Sequence, residues 1–165
     1  ADFGNTWRTS TSRPDRPMRW TPHVTVAAIA ERQGALLFVE EAIQGRLVLN
    51  QPAGHWEEDE SLTEAVEREV LEETGYAFVP EALIGIYRWE VPDRDLTYLR
   101  FVFAGQVGPT PVRETLDHSV LRALWLAPEE LQTESDRLRS PMVLRCVEDY
   151  LAGRRFPLEI LNELS

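Results

Sequence analysis

The stretch from Ser61 to Gly75 constrains this chain most, because it reads as a helix with carboxylates on the side meant for packing. Ser61 followed three positions later by Glu64 has the form of a capping box, and Gly75 is placed for a left-handed stop. At about 100° per residue, with Leu62 as zero, Ala65 falls at about −60°, Val66 at about 40° and Val70 at about 80°. Those three make a core-facing stripe. On the same scale Glu69 falls at about −20°, Glu72 at about −80° and Glu73 at about 20°, while Glu64 and Glu67 project elsewhere. Carboxylates on a packing face must be paired, protonated or bound to a cation.

The charge of the chain leads to the same place. Its formal net charge is −11, yet residues 57–73 hold nine acidic side chains and one basic one, a net of −8, which leaves −3 for everything else. Glu57, Glu58 and Asp59 fit a solvated loop. Glu69 and Glu73 do not, and Arg68 is the only cation in the segment that can offset them. Hard oxygen donors grouped in this way suit Mg²⁺ or Mn²⁺, ions that also bridge phosphate oxygens. All seventeen basic residues are arginine. Without lysine, P-loop, Schiff-base and kinase-type chemistries are excluded. An acidic chain is also a poor ligand for long nucleic acid.

The remaining sequence supplies a frame around that helix. Residues 21–30, 35–41 and 46–50 are β-rich runs, and Gln51-Pro52-Ala53-Gly54 breaks the pattern. Residues 82–91 and 96–107 alternate as strands, and 121–127 follow as another. Two helices, 128–133 and 140–153, close the chain. The expected fold class is α/β, an α/β/α sandwich with a mixed β-sheet between helices. Residues 1–17 read as an N-terminal extension, with one domain over 18–165. No apolar run approaches the about 18 residues of a membrane span, so no membrane partner is expected. With no secretory-type apolar centre and one cysteine, the buried-type Cys146, a cytoplasmic protein without disulfides is the expectation.

From Gly54 the sequence runs five residues to Glu60, then seven more to Arg68-Glu69-Val70-Leu71-Glu72-Glu73-Thr74-Gly75-Tyr76. This resembles the box of the Nudix hydrolase family, Gly-x5-Glu-x7-Arg-Glu-U-x-Glu-Glu-x-Gly-U, where U is a bulky aliphatic residue. All seven fixed positions match, a coincidence of about one in 10⁸ starting points at ordinary residue frequencies. The one departure is Tyr76 at the final U, a packing position. The segments PHVTVAAI, LNQPAGHWE, YRWEVP, YLRFVFAG and LRSPMV are similar to the NudJ-type phosphatase branch of that family, over roughly Pro22 to Leu158.

The resemblance implies that Glu69, Glu72 and Glu73 ligate the metal, with the Ala53 carbonyl adding an oxygen. Arg68 orients the glutamates, or forms a structural pair with Glu72, and Glu60 fixes the loop against the helix. Glu69 is the first choice as proton acceptor, with Glu114 and Asp117 as candidates from a later loop. Arg88 and Arg100 are candidate phosphate clamps, and His55 is a candidate contact to phosphate or metal. Trp89, Tyr87, Tyr98 and Phe101 could stack on a base, with core packing as the competing role of each. Tyr98 and Phe101 must face opposite ways by strand alternation.

The implied activity is metal-dependent hydrolysis of phosphoanhydride bonds in nucleoside tri- and diphosphates and related small diphosphates, small-molecule phosphorylated substrates throughout. The branch resemblance adds release of orthophosphate, with thiamine-pathway pyrimidine diphosphates as further substrates. Two alternatives stand beside it: release of pyrophosphate from nucleoside triphosphates or RNA 5′ ends, and a non-catalytic ligand sensor on the same fold. The oligomeric state is not readable from the sequence.

Overall fold

A computed structural model of the chain describes residues 19–164, so the expected extension over residues 1–17 lies outside the described residues. Strands β1 (His23–Arg32), β2 (Ala35–Ile43) and β3 (Arg46–Asn50) form two successive hairpins. Both turns are Gln-Gly pairs with positive φ, 51° and 79° at Gln33-Gly34 and 50° and 76° at Gln44-Gly45. Such turns match the right-handed twist of the flanking strands.

A short strand, β4 (Ala53–His55), follows where the sequence reading placed only a break. It pairs antiparallel with β1 in the register Thr25↔His55, Val26↔Gly54 and Ala27↔Ala53. Pro52 is tolerated next to this ladder because its carbonyl, not its missing N–H, is used: the Ala28 N–H donates to it at 3.0 Å.

Helix α1 (Leu62–Thr74) leads to β5 (Phe78–Glu90), β6 (Thr97–Val107), β7 (Val120–Leu126) and the helices α2 (Pro128–Thr133) and α3 (Pro141–Leu151). Strand β5 begins four residues before the expected start at 82. Its early part carries Pro80, which the edge of a sheet accepts, and register shifts occur at Pro80/Ala82 and Leu83/Gly85.

One part of the sheet has the order β4-β1-β6-β5 and is mixed, since β1 and β6 run parallel. The other, β3-β2-β7, is antiparallel. The two are joined through the β1–β2 hairpin, where only Glu31↔Leu36 and Arg32↔Ala35 pair, so they diverge beyond it.

Strand β1 is buried on both faces. Val26, Ala28 and Ala30 pack with Ala65, Val66 and Val70 of α1, whereas Ala27 and Ile29 pack with Met142, Val143, Cys146 and Val147 of α3. The fold is thus the α/β/α sandwich expected. Cys146 is a fully buried thiol, pushed up to about 12 by burial. No helix among the described residues is long and apolar enough to cross a membrane.

Candidate active site

Helix α1 begins and ends as its sequence dictates. The Ser61 hydroxyl accepts from the Glu64 N–H at 3.0 Å, and the Glu64 carboxylate accepts from the Ser61 N–H at 2.7 Å. At the far end Gly75 has φ 76° and donates to the Leu71 carbonyl at 2.9 Å. A Cβ there would stand 2.2 Å from the Arg113 carbonyl, so only glycine fits. The N–H groups of Val112 and Arg113 donate back to Gly75 at 2.8 and 3.2 Å, and that of Asp117 donates to the Glu72 carbonyl at 2.8 Å. These bonds lash the loop before β7 to the end of α1. Tyr76, the departure at the box's last position, packs edge-on against Trp125, and the Arg32 guanidinium lies over both rings.

The helical phase places its carboxylates as drawn from the sequence. Glu69 and Glu73 are buried, Glu72 is half-buried, and Glu57, Glu58 and Asp59 are exposed. Glu69 closes against Gly54 so tightly that a Cβ at Gly54 would lie 2.0 Å from its Oε1. Glu73 accepts the Ala53 N–H at 2.8 Å. Arg68 grips Glu60 with two bonds, 2.9 Å from Nε and 2.7 Å from Nη2. It also reaches Glu69 at 2.7 Å, Glu72 at 3.3 Å and the His55 carbonyl at 3.0 Å.

Electrostatics sort these groups. Arg68 holds Glu60 below the usual carboxylate range, and the same bond to Glu60 keeps the guanidinium charged. Burial raises Glu69 against the opposing pull of Arg68. Burial pushes Glu73 up to about 9, against the Ala53 N–H, with Glu69, Glu41 and Asp117 adding negative charge nearby. A carboxyl so placed ionises readily only beside an added cation.

Whether these donors suit Mg²⁺ or Mn²⁺ is answered by their chemistry: hard oxygens, in excess of local cations, with the Glu69 carboxylate packed into the space that a Cβ at Gly54 would fill. Among the described residues they do not close into a preformed cage of three side chains, as Glu69 and Glu72 turn toward Arg68 and Glu73 toward Ala53.

Ala53, Gly54 and His55 also border a cavity of about 360 Å³, within the usual size range for small-molecule sites. Strand register sets the cavity wall. Trp89, Tyr98 and His23 form one row across β5, β6 and β1, and Tyr87, Arg100, Thr25 and His55 form the next; of these, Trp89, Tyr98, Arg100, Thr25 and His55 line the cavity, while Tyr87 donates to Asp149 at 2.8 Å. Trp89 and Tyr98 lie nearly parallel, centroids 6.0 Å apart, and both line the cavity, whereas Phe101 packs on the opposite face of the sheet. His55 meets His23 at 3.3 Å, and burial, with His23 beside it, lowers its proton affinity.

The other candidates separate. Arg100 is buried on the cavity wall, but Arg88 is exposed on the opposite face of β5 and pairs with Glu90. Asp117 is near enough for its charge to act on Glu69 and Glu73. Glu114 is exposed and borders a shallow depression with Tyr76 and Trp125, away from the cavity.

The structure adds a residue the sequence reading missed. Glu41, on β2, is buried, lines the cavity, and has Arg139 at 3.7 Å as its ion-pair partner. Its one local signal was the pair Glu40-Glu41 at the end of an apolar strand. Glu40 is answered by Arg122 at 2.9 Å and by Arg137, and among the described residues no comparably close cation reaches Glu41.

The model of the NUDIX domain family matches residues 20–146. The chain belongs to the Nudix family. Phosphatase NudJ of Escherichia coli K12 is 39% identical over 144 residues, covering 87% of this chain and 93% of that protein. A solved NUDIX hydrolase from Nitrosomonas europaea is 47% identical, covers 87% of this chain and 98% of its own, and superposes with a TM-score of 0.84. The ORF135 protein of E. coli is 27% identical over 80% of this chain and 90% of its own, with a TM-score of 0.61. The chain is a Nudix hydrolase of phosphorus-containing acid anhydrides, similar to NudJ-type phosphatases.

Proposed function

We propose that this hydrolase acts on nucleoside tri- and diphosphates and related small diphosphates, thiamine-pathway pyrimidine diphosphates included, and releases orthophosphate. The observation that carries the reading is the placement of two buried carboxylates, Glu69 and Glu73, against Ala53-Gly54 at the border of the cavity. Glu69, Glu72 and Glu73, with the Ala53 carbonyl, would hold Mg²⁺ or Mn²⁺. A divalent cation there offsets phosphate charge and makes water easier to deprotonate.

The chain's own groups do the rest. Arg68 sets the rotamers of Glu69 and Glu72 through charge-assisted bonds and is itself fixed by Glu60. Glu69 accepts the proton of the attacking water, its proton affinity raised by burial. Asp117 is the second candidate for that proton. The organic end of the substrate lies in the cavity along Trp89 and Tyr98, with Arg100 and His55 facing it. Arg88 has no part in this arrangement. NudJ of E. coli is named a phosphatase, and the likeness over most of both chains favours attack at the terminal phosphorus.

Hydrolysis of a nucleoside triphosphate in ¹⁸O-water with Mg²⁺ tests this. Label in orthophosphate, with a transient nucleoside diphosphate, is the expected result. Label in the nucleoside monophosphate beside unlabelled pyrophosphate would overturn the orthophosphate assignment, and full activity after exhaustive chelation would overturn the metal assignment.

A further inference from the structure

Among the described residues, four buried side-chain polar atoms have no hydrogen-bond partner: Thr25 Oγ1, Glu41 Oε2, Arg100 Nε and Ser140 Oγ. All four residues line the same cavity, and none is more than 9% exposed. Such atoms are costly to leave unmatched, so four around one space mark a surface shaped for a polar ligand. They come from β1, β2, β6 and the residue capping α3, so no single local motif explains them.

Their chemistry is mixed. Glu41 offers an acceptor, Arg100 Nε offers a donor, and the two hydroxyls can do either. The remaining bonds of Arg100 are long, 3.4 Å to Asn50 Oδ1 and 3.4 Å to Gln51 Oε1, and Gln51 is itself fixed by donating to the Val143 carbonyl at 2.8 Å. Arg100 is therefore held in place with Nε free. Along the same cavity Trp89 and Tyr98 supply flat apolar surface. A phosphate chain would use the donors but leave the Glu41 oxygen facing negative charge.

We propose that Glu41 is a specificity-determining residue that accepts a hydrogen bond from an amino group on the substrate's heterocycle. The ligand class is an amino-substituted nitrogen heterocycle carrying a diphosphate or triphosphate. This rests on the hydrolase reading above, with the organic end in the cavity. An amino-bearing base is favoured over its deaminated counterpart, whose carbonyl turns a lone pair toward Glu41. The group discriminates through binding and stands apart from the reacting phosphorus.

The test pairs CTP with UTP and ATP with ITP in steady-state kinetics with Mg²⁺, for the wild type, Glu41→Gln and the loop control Glu58→Gln. Metal-free calorimetric binding of cytidine and uridine runs in parallel. In the wild type and in Glu58→Gln the amino-bearing member should have the lower KM by roughly tenfold, the scale of one buried unmatched polar group. Glu41→Gln should erase that preference by lowering KM for the deaminated member, since an amide donates to a carbonyl as readily as it accepts from an amino group. Cytidine should bind the wild type more tightly than uridine.

Equal KM values within the wild-type pairs, or a preference for UTP and ITP, would overturn the proposal even if the variant does not fold. So would a uniform loss of kcat in Glu41→Gln with the preference intact, which would place Glu41 among the reacting groups. Absence of turnover with every triphosphate would instead defeat the hydrolase reading, and the nucleoside binding ratio would still decide the role of Glu41.

Discussion

Replacing Gly54 by alanine is the sharpest perturbation of the carboxylate site, because it adds one methyl group where the structure has none to spare. The new Cβ would stand 2.0 Å from Glu69 Oε1, 2.1 Å from its Cδ and 2.3 Å from its Oε2, where ordinary contact begins at 3.4 Å. The carboxylate must therefore retreat by 3.4 − 2.0 = 1.4 Å. Gly54 does not have a positive φ, so the backbone tolerates alanine and the whole effect falls on Glu69. The retreat strains the 2.7 Å bond to Arg68 and displaces a proposed metal ligand. A misplacement of about 1 Å in a reacting constellation costs about 100-fold, so kcat/KM for phosphate release should fall by about that factor or more. Overpacking costs about 1–3 kcal/mol, which for a domain of this size lowers Tm by roughly 3–10 °C. The control is Gly108→Ala, where the nearest atom is the Thr110 carbonyl oxygen at 3.8 Å and neither readout should move. Phosphate release against Mg²⁺ concentration, beside thermal denaturation, makes the comparison. Near wild-type kcat/KM in a folded Gly54→Ala protein would refute the assignment of Glu69 to the reaction.

Three further outcomes are expected. Glu73→Gln should lower turnover by at least about 100-fold while the protein stays folded, since it removes a charge and keeps the shape, whereas Glu58→Gln should leave phosphate release within about twofold. In metal-free protein, Glu73 holds its proton when folded up to about pH 9 but only to about 4.5 when unfolded. Its contribution is therefore fully present below 4.5 and lost as pH rises toward 9, so the Tm of the wild type should fall more steeply over that range than that of Glu73→Gln. Equal slopes in the two proteins would contradict the buried placement. Ser61→Ala removes the cap bond to Glu64 and should cost about 1 kcal/mol, or roughly 2–4 °C in Tm, with kcat largely kept. A parallel collapse of kcat would show that the cap also positions the carboxylates.

Sequence by itself determined the helix, its two ends and the sorting of its acids. Period, capping and the glycine stop are local properties, so Glu69 and Glu73 could be assigned to the buried side and Glu58 to solvent before any neighbour was known. Alternation along β6 likewise separated Tyr98 from Phe101. Tertiary structure alone decided what lies opposite those groups. Strand β4 forms because β1 offers it a ladder, although its glycine and the proline before it argue locally for a break. Of two acids three residues apart in one irregular loop, Asp117 is drawn to α1 by its N–H bond to Glu72, and Glu114 is left on the surface. Arg88 and Trp89, adjacent in sequence, were both candidates, and the placement of the sheet beneath α3 gives the cavity to Trp89 only. Glu41 could not be singled out from the sequence, since its meaning comes from its ion pair with Arg139 and from the cavity it shares with Arg100 and Ser140, all distant in the chain. Local periodicity is set by backbone geometry within a few residues, but charge compensation acts through space. A buried carboxylate is defined by what fails to neutralise it, and only the folded neighbourhood contains that information.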